Sequence, residues 1–390
     1  MRMGRPWLHL TFMAATVALL GTGLSSCADK ETVGETSTDC AETAYENGGE
    51  GRCEKTCRVV NEEFCVERAA TPDCATIPAN AAVDVCGVAI KAPPEDGEAP
   101  AELERSPNVK EYAGTGPVDT SCYVSGGFPP APTSSQAVEL RGIVNIFSNG
   151  CESNNVEIEV YTVVRDGGAE DGKIDQLVGS AVITPDDCSG ENGVPEPDIE
   201  GCFSDDARRE CLYTYPGVPT ETELVIVTKG GFWRPLYEYG VYIGNDEIQS
   251  DGGGSYHEKD IRALADDDYG TIAQAAQGKP ITDGHGAVAG EVHDCDNRRV
   301  VNAVVDVNVQ KFTTTYFGDD EDDPLPSLAA KATSTLGLYA ALDIAPGPVS
   351  VAAAGVQNGQ LIGLGFLRAW VYANAVTSCT FRGMKGYQVP

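Results

Sequence analysis

Residues 333–355, TSTLGLYAALDIAPGPVSVAAAG, contain two β-rich runs on either side of a Pro-Gly turn at Pro346-Gly347. An earlier segment, residues 210–230 (ECLYTYPGVPTETELVIVTKG), aligns with it around its own pair, Pro216-Gly217. The Val-Tyr pairs at 241–242 and 371–372 have the same separation in sequence as the two Pro-Gly pairs. A repeat on this scale predicts two copies of one supersecondary design.

The rest of each copy is also rich in short strand patterns. In NVEIEVYTVV (155–164), Val156, Ile158 and Val160 alternate with polar neighbours, which is the period expected of a half-buried strand. About seven short runs per copy, separated by Gly, Asn, Asp and Pro, predict a mainly β chain with two tandem antiparallel β-sandwiches. We place the sandwiches at residues 133–250 and 281–390. Between them, residues 251–280 space Ile261, Leu264, Ala265, Tyr269 and Ile272 as a helix does, which predicts a connecting helical segment.

The second copy resembles the carboxypeptidase regulatory-like domain, a transthyretin-like sandwich. The resemblance rests on Gly290 and Val292, Val300-Val301 with Ala303 and Val305, Gly337 with Tyr339, and Pro346-Gly347 through Gly355. It covers residues 284–379 moderately and 137–246 weakly, and leaves the N-terminal part of the chain uncovered. It implies transthyretin/Ig-like sandwiches with an accessory, binding or spacing role, and it carries over no catalytic residues.

The N-terminus predicts export and lipid anchoring. Arg2 and Arg5 precede an apolar run at residues 8–20 that is too short to span a bilayer, as in a signal peptide. The apolar run is followed by LSSC (24–27). This stretch resembles the bacterial lipobox, and the resemblance implies cleavage before Cys27 and a lipid on its sulfur. We therefore expect a signal peptide at 1–26 and an anchor and tether at 27–39. Ala28 lacks the aspartate of inner-membrane retention, which points to the outer membrane of a Gram-negative envelope.

Charge and cysteine content define the environment. Fifty-nine acidic against 27 basic residues give a net charge of −32, which argues against nucleic acid as a partner because it is a polyanion. Fourteen cysteines favour an oxidising compartment with disulfides. If Cys27 is lipidated, thirteen remain, so one is free or pairs between chains.

Six cysteines lie between residues 40 and 86, and their spacing fits zinc poorly, so we expect a disulfide-rich, partly helical module there. Cys53, Cys57, Val60 and Phe64 have helical spacing within it. Residues 87–132 are rich in Pro, Glu and Ala, which predicts a solvated linker.

The stretch GEVHDCDNRR (290–299) places His293, Asp294, Cys295 and Asp296 in consecutive positions. A reactive Cys-His pair is one interpretation. The favoured one is a structural disulfide between Cys295 and Cys379, which are the two cysteines after residue 211. His285 and His293 lack a clear third ligand, so we predict no metal site.

Two binding interpretations remain open. The acidic run at residues 319–323 has the oxygen ligands that calcium prefers, although such runs are more often solvated loops. Phe232, Trp233 and Tyr237 form an aromatic cluster that is either a ligand platform or core packing.

Together these patterns predict a non-catalytic outer-membrane lipoprotein that acts as an adhesion, envelope-scaffold or complex-accessory protein and contacts an envelope or surface protein. The alternative is a small-ligand module, binding carbohydrate or calcium, that serves a partner enzyme. No nucleophile, base and orienting group occur in a recognisable constellation, so we expect no catalytic site and no cofactor.

Overall fold

The computed structural model describes residues 55–56, 66–67, 84–85, 88–89, 101–107, 109, 112–124, 134–147, 153, 155–165, 169–188, 193–195, 209–321 and 324–382. Most of these residues form two β-sandwiches, so the predicted mainly β fold class is confirmed. Cys27, with the predicted signal peptide and tether, lies outside the described residues.

The first sandwich has ten strands among the described residues. They are β6 (Ala137–Phe147), β7 (Glu157–Val163), β8 (Ile174–Val182), β9 (Gly193–Pro195), β10 (Arg209–Pro219), β11 (Leu224–Gly230), β12 (Trp233–Val241), β13 (Gln249–Ser250), β14 (Ser255–Glu258) and β15 (Ile261–Ala265). One layer has β6 paired antiparallel with β10 and parallel with β14 and β15, and the other has the order β8-β7-β11-β12. Apolar side chains from both layers form one buried core.

The second sandwich has nine strands in the part of the chain that the structure describes. They are β16 (Gly286–Glu291), β17 (Val300–Val301), β18 (Val304–Val307), β19 (Thr313–Phe317), β20 (Pro326–Ser327), β21 (Leu338–Ile344), β22 (Gly347–Gln357), β23 (Gln360–Val371) and β24 (Val376–Cys379). One layer has the order β24-β16-β21-β19-β20 and the other β18-β22-β23.

The two sandwiches follow the same strand plan. In each, the first strand pairs antiparallel with a later strand and parallel with the final one: β6 with β10 and with β14 and β15, β16 with β21 and β24. In each, the opposite layer contains the equivalent trio, β7-β11-β12 or β18-β22-β23. The internal repeat inferred from the Pro-Gly and Val-Tyr pairs is therefore confirmed in strand order.

Strand β24 joins the sandwiches into one continuous sheet. It runs parallel to β12 of the first, with Leu236 opposite Val376, and parallel to β16 of the second, with Ala287 opposite the same Val376. The neighbouring strand β11 has both faces buried. Leu224 and Ile226 face the first core, whereas Val225 and Val227 belong to the core of the second sandwich. A strand covered on both sides has a continuous apolar run, which explains the sequence LVIV at 224–227.

The connecting segment is helical only in its second half. Helix α2 (Asp266–Gln277) ends at Gly278, whose positive φ of 68° and bond to the Gln274 carbonyl are typical of a helix C-terminus. The helical prediction for residues 261–265 is wrong, because this segment is strand β15. Ile261 and Ala263 alternate into the first core while the backbone pairs with β6, and this long-range pairing overrides the local spacing.

The N-terminal module is described only as two short ladders. They pair β1 (Lys55–Thr56) with β2 (Val66–Glu67) and β3 (Asp84–Val85) with β4 (Val88–Ala89). The helix predicted through residues 53–64 is therefore wrong at residues 55–56. The six cysteines of the module lie outside the described residues.

A segment before the first sandwich packs on the second, and we call its described residues within 101–122 the strap. It contains β5 (Glu104–Arg105), which pairs with β17, and helix α1 (Ser121–Val124) begins at its end. Leu103 and Val118 are buried in the core of the second sandwich. The solvated-linker prediction for residues 87–132 is wrong for this part, because its few apolar side chains have a complementary surface in a domain much later in the chain. Within the described chain, no helix is long and apolar enough to cross a membrane.

Candidate functional site

Residues 293–296, the His-Asp-Cys-Asp stretch, begin a tight turn that is bonded to the strap. Asp294 is 1% exposed, and its Oδ1 accepts the backbone N–H groups of Asp296 and Arg298 at 3.0 and 2.9 Å. Its Oδ2 accepts the Asp119 backbone N–H at 3.1 Å and the Arg105 Nε–H at 2.5 Å. Both partners of Oδ2 belong to the strap, so one oxygen of the carboxylate stabilises the turn and the other joins the turn to the strap.

Cys295 forms a disulfide with Cys122 at the end of the strap. The predicted Cys295–Cys379 bond is wrong. Cys295 lies on the turn that faces the strap, whereas Cys379 lies in β24, fully buried in the core as a free thiol. Burial raises the pKa of the Cys379 thiol well above its usual value, which makes the thiolate scarce, so neither cysteine is poised as a nucleophile.

His293 is part of a buried polar cluster. Its Nε2 lies 2.6 Å from Glu291 Oε2 and its Nδ1 lies 2.8 Å from Asn297 Oδ1. Burial lowers the pKa of His293, against the opposing effect of Glu291. Glu291 also forms ion pairs with Arg262, at 2.7 Å from Nη2 to Oε1, and with Arg299, at 3.1 Å from Nε to Oε2. Burial acts to raise the pKa of Glu291, but Arg262, His293 and Arg299 outweigh it and hold that pKa well below its usual range.

The second histidine of the metal hypothesis lies elsewhere. His285 Nδ1 is 3.1 Å from Asp343 Oδ1, in a surface group with Lys279 and Thr282. Within the described ranges, no three His, Cys, Asp or Glu side chains are grouped as a metal site would require.

The three candidate platform aromatics do not share a surface. Phe232 is 81% exposed at the β11–β12 turn, whereas Trp233 is 8% exposed and packs in the first core. Tyr237 stacks on Tyr372 of the second sandwich, with ring centroids 3.8 Å apart and planes 11° apart. The platform interpretation is therefore wrong for Trp233 and Tyr237, and Tyr237 contributes to the contact between the sandwiches.

The acidic loop is partly engaged by protein groups. Asp319 Oδ1 accepts the Thr335 hydroxyl at 2.7 Å, and Glu321 Oε1 lies 3.4 Å from Arg299. Asp322 and Asp323 lie outside the described residues, so calcium binding here stays a hypothesis.

Two features that the sequence analysis missed lie between the sandwiches. The first is an ionic cluster in which Arg165 donates to Glu223 and, at 2.8 Å, to the Arg368 backbone carbonyl of the second sandwich. Asp171 lies between Arg165 and Arg368, at 3.7 and 3.1 Å. Gly172 approaches the Ala369 backbone so closely that a Cβ there would lie 2.7 Å from its carbonyl oxygen. The first sandwich therefore meets β23 through a contact that only glycine permits.

The second feature is a cleft of about 740 Å³. Residues 141–143, 212–214 and 257–260 line it from the first sandwich, and Tyr112, Cys295, Asn297, Thr380 and Arg382 line it from the strap and second sandwich. Lys259 is the most enclosed cation. Its side chain is 11% exposed and its Nζ lies 2.5 Å from Glu238. Burial lowers the pKa of Lys259, with Arg382 adding to the effect and Glu238 opposing it. Since these residues come from separate segments, no local sequence pattern marks them.

Comparison with known proteins adds little. No protein-family model and no curated protein matches the chain. Among solved structures, the crystal structure of GBS52, the minor pilin of the Gram-positive pathogen Streptococcus agalactiae, is similar at 11% identity over 64% of this chain and 95% of that one. The TM-score is 0.18, so this likeness carries no conclusion. What the fold and the sites define is a mainly β protein with two sandwiches joined by a shared strand.

Proposed function

We propose that the protein is a non-catalytic outer-membrane lipoprotein that acts as an envelope scaffold, adhesion or complex-accessory protein. The observation that supports this most is β24, whose backbone pairs with β12 and β16 at once. A strand shared by two sandwiches restricts hinge motion between them, since bending would break ladder hydrogen bonds in both. A stiff two-sandwich body suits a role in spacing or presenting a partner.

The side chains that first suggested chemistry support the same proposal. Asp294 and Cys295 bind the strap, and His293 is buried against Glu291. Each therefore has a structural task. The net charge of −32 suits an ectodomain that remains soluble beside an anionic surface.

Lipid anchoring through Cys27 is tested by fractionation. We expect the wild type in the membrane pellet with a fatty-acid label on Cys27. Cys27→Ser should lose the label and move to the soluble fraction. A labelled or membrane-bound Cys27→Ser protein contradicts the anchor.

The scaffold role is tested by crosslinking the full-length protein in intact cells. We expect one or a few envelope proteins to be captured reproducibly, and fewer with Tyr237→Ala combined with Gly172→Ala, a variant designed to loosen the contact between sandwiches. Phe232→Ala should leave the capture unchanged. Capture that is insensitive to the loosened variant contradicts a dependence on the rigid body.

The alternative, a small-ligand module serving a partner enzyme, draws support from the cleft rather than from Trp233. A volume of about 740 Å³ lies within the range of small-ligand sites. Saturable binding of a saccharide that is lost in Lys259→Met would favour this alternative over the scaffold.

A further inference from the structure

Lys259 lies at an interruption of the sheet, on the wall of the large cleft. Strands β14 and β15 both pair parallel with β6, but their ladder is interrupted at Lys259 and Asp260. Gly142 of β6 permits the close approach of this backbone, because a Cβ there would lie 2.3 Å from the Lys259 carbonyl oxygen. The Lys259 side chain leaves the ladder at this point and lines the cleft.

Hydrogen bonds hold the interruption in place. Asp260 Oδ1 accepts the Ile143 backbone N–H at 3.1 Å. The buried Tyr213 donates its hydroxyl to the Lys259 carbonyl at 2.5 Å, and the Lys259 backbone N–H donates to the Arg141 carbonyl at 2.9 Å. Backbone groups that leave the ladder are therefore still bonded, and these bonds fix the position of Lys259.

The Lys259 amino group is paired with a carboxylate in a largely enclosed place. Its Nζ lies 2.5 Å from Glu238 Oε1, and the two side chains are 11% and 15% exposed. Burial lowers the pKa of Lys259, Glu238 opposes this effect, and Arg382, which also lines the cleft, adds to it. A lower pKa raises the share of uncharged amine, which is the nucleophilic form of lysine.

An exposed lysine with a similar ion pair is in a different state. Lys173 Nζ lies 2.7 Å from Glu170 Oε1, but the Lys173 side chain is 40% exposed. The hydrogen bond to Glu170 raises the pKa of Lys173. An ion pair alone therefore keeps a lysine charged, and enclosure at the cleft wall is what distinguishes Lys259.

We infer that Lys259 captures a small polar aldehyde from the cleft as an imine, with Glu238 as the proton carrier. Imine formation requires an uncharged amine and a group that moves protons between nitrogen and oxygen, and this pair supplies both. The aldehyde is polar because Thr214, Asn297 and Thr380 line the cleft around it. Capture is reversible and stoichiometric, so it requires no turnover. This inference rests neither on the lipoprotein role nor on saccharide binding.

One carboxylate suffices for the proton transfers of the reaction. The Lys259 ammonium passes a proton to Glu238, and the uncharged Nζ attacks the aldehyde carbon. Glu238 returns the proton to the aldehyde oxygen, which gives a carbinolamine with a protonated nitrogen. That nitrogen passes a proton to Glu238, which transfers it to the hydroxyl, and the hydroxyl leaves as water while the nitrogen lone pair forms the C=N bond. The product is a protonated imine paired with the Glu238 carboxylate.

The test traps the imine by reduction. The purified full-length protein is incubated at neutral pH with glycolaldehyde and sodium cyanoborohydride, whose hydride converts the imine into a stable secondary amine. Alkylation of each lysine is followed over time by mass spectrometry of a protease digest. We expect Lys259 to be alkylated at least about fivefold faster than Lys173 in the same sample, because more of its amine is uncharged.

One pair of variants tests the position of Lys259. Asp260→Ala removes the acceptor of the Ile143 N–H and should slow alkylation of Lys259 at least about fivefold, whereas Asp260→Asn retains an acceptor and should keep the wild-type rate. If Asp260→Ala does not fold, Tyr213→Phe takes its place, because it removes the bond to the Lys259 carbonyl. Alkylation of Lys173 should be unchanged in each variant.

A further variant tests the proton carrier. Glu238→Gln should slow trapping of Lys259 by glycolaldehyde at least about tenfold. The same variant should be acetylated at Lys259 by an N-hydroxysuccinimide ester as fast as the wild type or faster, because an activated ester does not require protonation of its leaving group. Opposite responses to the two reagents distinguish proton transfer from simple access to the amine.

Three results would overturn the inference. They are alkylation of Lys259 that is no faster than that of Lys173, equal rates at Lys259 in the wild type and in the folded position variant, and equal trapping rates in the wild type and Glu238→Gln. The first would mean that Lys259 and Glu238 form only a structural ion pair.

Discussion

The two sandwiches share one strand plan but are closed in different ways. The disulfide of the first, Cys188–Cys211, joins positions 23 residues apart within the sandwich. That of the second, Cys122–Cys295, joins positions 173 residues apart and ties in the strap. The first sandwich is therefore local in sequence. The second is assembled from the strap, from residues 284–382 and from the junction with β12, with the first sandwich inserted between its parts.

This difference indicates where stability depends on long-range closure. A crosslink removes more entropy from the unfolded chain when the loop it closes is longer. On that scale the bond that closes 173 residues is worth about 5 kcal/mol and the one that closes 23 residues about 3 kcal/mol. The shared strand plan thus does not imply equal dependence on crosslinks.

The largest effect expected is from the disulfides. Replacing both Cys122 and Cys295 by Ala should lower the free energy of unfolding by about 3–5 kcal/mol and expose the strap, because the long loop is no longer closed. Hydrogen exchange should show the loss in residues 101–122 and the second sandwich. Replacing Cys188 and Cys211 is the matched control, with the loss confined to the first sandwich. Equal losses spread over both sandwiches would contradict the distinction.

The next effect concerns the strap's apolar anchor. Leu103→Ala should cost about 2–5 kcal/mol, since the side chain is 8% exposed in the second core. Gly355→Ala should cost about 1–3 kcal/mol, because its Cβ would lie 2.3 Å from Leu103 Cδ2. In the double variant the clash is relieved, so its loss should be smaller than the sum of the two. Chemical denaturation measures all three, and strict additivity would mean that the strap does not seat on Gly355.

A smaller effect is expected with pH. Burial lowers the pKa of folded His293, so below about pH 6.5 the unfolded chain binds a proton that the folded chain does not. The free energy of unfolding should therefore decrease as pH falls through that value, and decrease again below about pH 4.5 because the pKa of Glu291 is lowered too. His293→Gln should flatten the upper part of the profile. An unaltered pH profile in His293→Gln would contradict the assignment.

The smallest effect distinguishes neighbours at the start of β12. Phe232→Ser should change the free energy of unfolding by less than about 0.5 kcal/mol because the ring is 81% exposed. Trp233→Ala, in the first core, serves as the contrast and should cost about 3–5 kcal/mol. A lower melting temperature for Phe232→Ser than for Trp233→Ala would contradict the exposed position of Phe232 and the buried position of Trp233.

The order of strands could be predicted because it depends on local sequence patterns. Alternation in residues 156–163 and the repeated Pro-Gly and Val-Tyr pairs report the pleat and the repeat directly. The helix predicted at residues 261–265 was wrong because pairing with β6, a strand far earlier in the chain, decides their conformation. In that pairing, Val144 lies opposite Ile261.

The site was harder to predict because its contacts are long-range. Pairing Cys295 with Cys379 followed from their being the last two cysteines, yet burial of Cys379 in β24 and the strap's return to the 294–297 turn decide otherwise. The packing of the strap on the second sandwich could not be predicted because the composition of the strap is polar. Only a few side chains, such as Leu103 and Val118, anchor it in the core. Lys259 and Arg165 carry no motif, since their partners Glu238 and Arg368 lie on distant strands.

The Cys122–Cys295 bond has a mechanical consequence. It closes a covalent ring that contains the whole first sandwich. A pull applied between the strap and the C-terminal end of the described chain passes through the disulfide into the turn at 294–297 and on through the second sandwich. The first sandwich lies off this load path, so tension between the two ends cannot extend it while the bond is intact.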